Sequence, residues 1–373
     1  MQQRLESFEM DDGYWERLLR SCGFRDDYNY GMCGKRCAAS DYCSVVFNAW
    51  GIGAAFLWLK GDRFMIRIMI DSGSEYLPKE AQAKGIEVLP IVTNVGGNDY
   101  RDGFDLGRDE FFELLEETGQ FPTTSQITPH VFAAKFKEAL DAGDEVIAII
   151  LSSALSGTYQ NACMAQAMVG NEGIYVIDSL TATYPISIMA DYAAKLRDEG
   201  MPAAQIVEAI EELKGSAKVI AMVDTLEYLQ RGGRIPKAAA KIGEAAKLKP
   251  VISVTEKGDL AMISACLGRK RAFDIIMKQL ESIEIDDRFP VYAIYSYGTK
   301  NCERLEVRLQ EAGISVTERR QIGYVIGSHI GPNACGVVYV EKKPKKRRHQ
   351  GFFQEISLHP AEKCGKWEGC TAE

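Results

Sequence analysis

The chain has 373 residues, 46% hydrophobic and 26% charged, with a formal net charge of −8. That length leaves room for two ordinary domains, and the balance is that of a soluble globular protein. Nothing globally basic is present to meet phosphates, which argues against a nucleic-acid binder.

Residues 1–64 stand apart from the rest. SCGFRDDYNYGMCGKRCAASDYC is polar and aperiodic, and the apolar run at Val45–Lys60 falls short of the roughly 20 residues that span a bilayer. It also lies too far from the N-terminus for a signal peptide. Cys22, Cys33, Cys37 and Cys43 crowd this stretch, but their spacings fit no common zinc pattern and no CxxC pair occurs. The expectation is an irregular N-terminal extension, a candidate for non-native sequence, with a domain opening at Met65. Cys163, Cys266, Cys302 and Cys335 are widely spaced in the periodic part, as reduced thiols of a cytoplasmic protein would be.

From Met65 the pattern alternates. IRIMIDS at Ile66–Ser72 predicts a strand ending in an acid and a hydroxyl, and IEVLPIVTNV is extended. Asn98–Gly103 reads as a turn, and Asp109–Thr118 as an amphipathic helix with Phe111, Leu114 and Leu115 on one face. PTTSQITP at Pro122–Pro129 leads into a helical pattern over Val131–Leu140. EVIAIIL is apolar enough for a buried parallel strand, and SSALSGTYQ at Ser152–Gln160 follows it into a helix over 158–168. Strand IYVIDS and a helix around Pro185–Glu199 complete an α/β domain with a parallel sheet over 65–216. Ligands of such sheets sit beyond the carboxyl ends of the strands, so Asp71–Ser72, Ser152–Ser153 and Asp178–Ser179 should share one rim. The two Ser/Thr-rich loops offer hydroxyls and free amides where a loop becomes a helix, a setting that favours an anion. Thr124, Ser125 and Ser156 could equally be helix caps and nothing more.

Beyond a boundary near Lys214–Lys218, VIAMVDT predicts a strand, LEYLQRGGRIP enters a turn, and IPKAAAKIGEAAK is a small-residue helix. PVISVTEKGDLAMISACL reads as a hairpin with Gly258 in its turn. Helix RKRAFDIIMKQLESI, strand VYAIYSYG and a helix ending at Gly313 follow, and ISVTERRQIG and GSHIGPNACGVVYVE close a second α/β domain over 217–341. A basic polar tail, 342–373, opens with KKPKKRRHQ; such runs are usually solvated, although one could touch an anionic membrane surface.

Several chemistries have no visible motif. There is no GxSxG elbow, no Walker A sequence, and no pair of histidines at metal-ligand spacing among His130, His329, His349 and His359. Only His329 sits in a Gly-rich setting, where backbone can approach a ligand closely.

DSGSEYLP at Asp71–Pro78, PTTSQITP, LSGTYQNA at Leu155–Ala162, LEYLQRGGRI at Leu226–Ile235, LKPVISVTEKG at Leu248–Gly258 and SHIGPNACG at Ser328–Gly336 occur in order between Met65 and Glu341. Together they resemble the DegV family. The resemblance implies two α/β domains holding a long-chain fatty acid between them, with no cofactor and no enzymatic activity of the chain alone. Some members serve as the lipid-binding subunit of a bacterial fatty acid kinase, presenting the carboxylate to a separate ATP-binding partner that makes acyl-phosphate for phospholipid synthesis. By the same resemblance Thr124, Ser156 and His329 bind the carboxylate, and Arg231 and Arg234 face the kinase; the strand ends and loop amides add Ser125, Gly157, Asp71 and Ser72 as supporting residues. Such a protein is cytoplasmic, with at most peripheral contact to a membrane. Ile186, Ile188, Met189, Leu226 and Ile263 are candidate tunnel lining. Ile127, Glu75 and Asn333 depart from proline, aspartate and glycine in the family pattern. Two rivals stay open: a hydrolase or acyltransferase with Ser156 as nucleophile, His329 as base and Asp71 as orienter, and a lipid sensor without a kinase.

Overall fold

The apolar stretch at Ile66 opens strand β1 (Ile66–Asp71) of a computed structural model that describes residues 65–235 and 248–342. The expected extension over 1–64, the small-residue helix over 236–247 and the basic tail beyond Lys342 lie outside the described residues. A single 3-10 turn and helix α1 (Pro78–Gln82) lead to β2 (Ile86–Leu89). The extended segment then breaks at Pro90, which has no N–H for a ladder, and continues in another sheet as β3 (Val92–Val95). Asn98–Gly103, expected to be a turn, instead supplies β4 (Asn98–Arg101). The turn itself is Gly96–Gly97, both at positive φ, as a tight hairpin requires.

Helix α2 (Arg108–Thr118) buries Phe111, Phe112 and Leu115. After it, β5 (Thr123–Ser125) pairs antiparallel with β3, giving the small sheet β4-β3-β5. Helix α3 (Pro129–Asp141), β6 (Glu145–Ile150), α4 (Thr158–Val169), β7 (Ile174–Asp178), α5 (Tyr184–Asp198) and α6 (Ala203–Lys214) follow. Strands β2-β1-β6-β7 form a four-stranded sheet, parallel throughout. β6 is apolar on both faces, as a strand covered on both sides must be.

The second sheet begins with β8 (Ala217–Met222). LEYLQ, expected to enter a turn, coils first into the short helix α7 (Glu227–Arg231). Then come β9 (Leu248–Val254), β10 (Leu260–Leu267), α8 (Arg269–Glu281), β11 (Tyr292–Tyr295), α9 (Lys300–Glu311), β12 (Glu318–Gln321), α10 (Tyr324–Ile330) and β13 (Cys335–Val340). The order is β10-β9-β8-β13-β11-β12, antiparallel except between β11 and β12. On β8, Ile220 and Met222 face a core shared with α8 and α9, so by the two-residue period Val219 and Ala221 face the other way.

Helix α5 is apolar nearly all round because it is enclosed: it packs against β1 and β6 of one sheet and β8 and β13 of the other. One core therefore runs from Ile68 and Ile147 through this helix to Tyr292 and Val338. Ile186, Ile188 and Met189, candidates for tunnel lining, belong to that core, Leu226 is buried in another, and Ile263 is exposed on β10.

The β9–β10 hairpin docks its turn on the first sheet. Gly258 sits at φ 86° and its carbonyl accepts from Ser152 Oγ at 2.8 Å. A Cβ there would come within 2.1 Å of that oxygen. Gly258→Ala is expected to cost about 2 kcal/mol or more and lower the Tm by roughly 4–8 °C in a thermal melt; an unchanged Tm would refute the docking role.

Candidate functional site

Because β1, β6 and β7 run parallel, their carboxyl ends share one rim. Asp71 is fully buried there and accepts from Gly73 N–H (2.8 Å) and Leu151 N–H (2.7 Å). Burial pushes its pKa up to about 6 against those donors. Ser72 Oγ accepts from Ile91 N–H at 3.0 Å, and Asp178 from Ser153 N–H at 3.1 Å. Asp71 is thus spent on loop backbone, Ser72 on Ile91 N–H and the Asp102 carboxylate, and they fix Leu151 and Ile91 in place.

Those two residues form part of a cavity of about 950 Å³, counting its open mouth. Its walls are mostly aliphatic: Val219 and Ala221 from β8, Ile252 and Val254 from β9, Leu260, Ile294, and Val325, Ile326 and Ile330 around α10. None of the five candidate lining residues is among them. Thr124, Ser125, Gln126, Ser156, Arg234 and His329 are among its polar lining residues, and Ser125 and Gln126 are exposed to solvent.

Thr124 reaches the cavity from β5, where it pairs with Thr93, and not from a helix start as expected. Helix α3 begins at Pro129, and no side chain caps it. Thr124 Oγ1 lies 3.2 Å from His329 Nε2 on α10. Burial, with Arg234 nearby, lowers the His329 pKa to about 4, so the ring is neutral at pH 7. Its Nδ1 has no partner among the described residues. Gly232 packs against that nitrogen so closely that a Cβ would lie 2.3 Å away.

Ser156 lines the cavity, and its Oγ accepts from Thr158 N–H (3.2 Å) at the start of α4. Gly157 lies under the Gln126 amide, where a Cβ would approach within 2.5 Å. Asn161 Nδ2 donates to Gln126 Oε1 (3.1 Å) and to the Ile127 carbonyl (2.9 Å), tying the β5 loop to α4. Ile127 itself is core, which accounts for an apolar residue there.

The two arginines separate. Arg231 is exposed, pairs with Glu227 (2.8 Å) and lies over the Phe121 ring at 3.8 Å. Arg234, beyond the Gly232–Gly233 turn, lines the cavity instead and donates to the carbonyls of Leu155 (3.0 Å) and Gly232. Among the described residues no carboxylate pairs with it, and burial lowers its pKa. Arg234 and Gln126 were not read as cavity residues from the sequence. The signal available was the double glycine, which turns the chain between the arginines and keeps them off a common face.

Among the described residues no group of three or more His, Cys, Asp or Glu is placed to hold a metal ion, and no helix is long and apolar enough to cross a membrane. The cavity lining thus combines a guanidinium without a carboxylate partner among the described residues, a neutral imidazole, hydroxyls and an amide with aliphatic walls. That set fits an elongated molecule with an anionic end.

Residues 65–342 match the family model described as DegV family. A curated DegV domain-containing protein of Caldanaerobacter subterraneus subsp. tengcongensis is 36% identical over 279 residues, 74% of this chain and 99% of that protein. A Thermus thermophilus structure, described as fatty acid binding of a DegV family protein, is 31% identical with a TM-score of 0.67, covering 75% of this chain and 100% of that one. The Bacillus subtilis structure of DegV, described as a fatty acid binding protein, is 28% identical with a TM-score of 0.66 at the same coverage.

Proposed function

The chain belongs to the DegV family, and from that premise we propose that its cavity holds a long-chain fatty acid. The carboxylate lies among Thr124, Ser156, His329 and Arg234, and the acyl chain runs along the aliphatic walls. The observation that carries this reading is Arg234, a half-buried guanidinium with no counter-charge among the described residues, in the lining of a mostly aliphatic cavity. A carboxylate supplies the missing charge and accepts the hydroxyl and amide donors around it. Each buried methylene adds about 0.8 kcal/mol, so a long tail is held tightly while the charged end stays at the open mouth.

By the family resemblance, the chain serves as the carrier subunit of a fatty acid kinase. In that reaction a carboxylate oxygen attacks the γ-phosphorus of ATP, ADP leaves, and an acyl-phosphate remains. No phosphate-cradling loop is present in the sequence, so a separate partner must bring the nucleotide. The exposed Ser125 and Gln126 leave the head-group reachable, and Arg231 with Phe121 offers that partner a surface. The serine-hydrolase reading is less favoured: Asp71 is committed to Gly73 and Leu151, and among the described residues no carboxylate orients His329 Nδ1.

Denaturing the purified protein and identifying extracted lipids by mass spectrometry tests the reading. The expected result is one long-chain carboxylic acid per chain; a cavity that stays empty after lipid-replete expression, or that holds a neutral lipid, overturns it.

A further inference from the structure

Thr183 lines the same cavity, and the head-group site does not account for how it is held. Its backbone lies at φ 61°, ψ −149°, a region that is essentially glycine's own and strained for a β-branched residue. It is the N-cap residue of α5, where a threonine hydroxyl ordinarily accepts from the helix's first amides, yet it makes no capping bond. The residue is only 4% exposed, and its Oγ1 has no hydrogen-bond partner among the described residues. Buried hydroxyls are rarely left in that state.

The backbone around it is firmly tied. Thr183 N–H donates to the Gly73 carbonyl (2.8 Å), and its own carbonyl accepts from Ile186 N–H (3.0 Å). Glycine would relieve the strain, and an aliphatic side chain would remove the unpaired hydroxyl. The mouth donors Thr124, Ser156, His329 and Arg234 make no hydrogen bond to it, and Ser125 and Gln126 are exposed where Thr183 is enclosed. The remaining hydroxyl of the inner wall, Ser253, is already used: its Oγ donates to the Val219 carbonyl at 2.7 Å. Thr183 therefore carries an unpaired, buried hydroxyl in the lining of the cavity, beside the positive end of α5, where an electron-rich oxygen is favoured.

We propose that Thr183 is a specificity-determining residue that hydrogen-bonds an oxygen substituent on the acyl chain, so that the preferred ligand is a hydroxylated or oxo-bearing long-chain carboxylic acid. This rests on the fatty-acid reading above and adds a second polar contact to the one made with the carboxylate. A site built to bond a hydroxyl discriminates against the analogue that lacks it, because its own polar atom is then left unpaired.

The test is calorimetric titration of the delipidated full chain with octadecanoic acid and its 10-hydroxy, 12-hydroxy and 10-oxo derivatives. At least one derivative is expected to bind the wild type about tenfold more tightly than the parent acid. Thr183→Val, close in shape, should abolish that preference while parent affinity stays within about twofold, and Thr183→Ser should keep it. Thr183→Ala takes the place of the valine variant if that one does not fold. The proposal is overturned if the wild type prefers no derivative, or if the preference survives in Thr183→Val. It is also overturned if the valine variant loses the parent acid as strongly as the derivative, for Thr183 is then a head-group donor. Failure of octadecanoic acid itself to bind the wild type sinks the fatty-acid reading and this proposal together, whereas the other outcomes leave that reading standing.

Discussion

Arg234→Met is expected to weaken binding of octadecanoic acid by about a hundredfold, while octadecanol binds within about threefold of its wild-type affinity. The reason is charge accounting at the mouth. Arg234 has carbonyl partners in Leu155 and Gly232 but no carboxylate among the described residues, and burial works against its charge. A bound carboxylate completes the pair in a partly dry setting, and truncating one member of such a pair typically costs about 2–5 kcal/mol. Methionine keeps much of the apolar stem, so the loss reports charge and donors more than volume. An alcohol leaves the guanidinium unpaired in the wild type and so has little to lose in the variant. Arg231→Met is the control, since that side chain is exposed, pairs with Glu227 and does not line the cavity. Calorimetry with both lipids decides: equal losses for acid and alcohol, or an Arg231 effect as large as that of Arg234, would remove Arg234 from the carboxylate site.

The parallel sheet was legible because its strands are buried on both faces, so β1, β6 and β7 stand out as continuous aliphatic runs ending in acids or hydroxyls. The cavity wall was not. On β8 both faces are apolar, and the two-residue period separates Val219 and Ala221 from Ile220 and Met222 without saying which face meets a void. Helix α5 misled for the same reason: Ile186, Ile188 and Met189 look like tunnel lining and prove to be the packing between two sheets. Strands β4 and β5 are polar edge segments of four and three residues, whose structure comes from pairing with β3 and not from their own pattern. Thr124 and His329 stand 205 residues apart, and only the resemblance joined them in advance of the fold. Helix α10 escaped notice behind its glycines, yet Gly327 is what admits the Phe112 ring, to which a Cβ would come within 2.7 Å.

That same helix is held from its N-terminus by groups far away in the sequence, and they give the second large effect. Glu75 accepts from Gly323 N–H, and Asp102 accepts from the N–H groups of Tyr324 (3.1 Å) and Val325 (3.4 Å). Arg108 balances them: it lies 3.8 Å from the Glu75 carboxylate and donates to the Glu75 carbonyl (2.6 Å) and to Tyr184 Oη (3.0 Å). Glu75 departs from the aspartate of the family pattern and sits at φ 72°, with its Oε1 unpaired. Burial pushes its pKa up to about 8 from an ordinary 4.5, with Arg108 pulling down and Asp102 pushing up. Between those two values the folded chain keeps a proton that the unfolded chain has released, so this group's contribution falls as pH rises through the window. Glutamine carries no such proton in either state. Glu75→Gln is therefore expected to melt near the wild type at pH 5 and roughly 8–16 °C above it at pH 9. Asp102→Ala acts the other way at every pH: it strands two buried amides and part of the Arg108 charge, at about 3 kcal/mol, or a Tm lower by roughly 6–12 °C. It should also weaken fatty-acid binding, because His329 rides on the helix that Asp102 caps. Thermal melts from pH 5 to pH 9 separate the cases. A Glu75→Gln curve running parallel to the wild type would mean that Glu75 is already ionised in the fold and that Arg108 outweighs its burial.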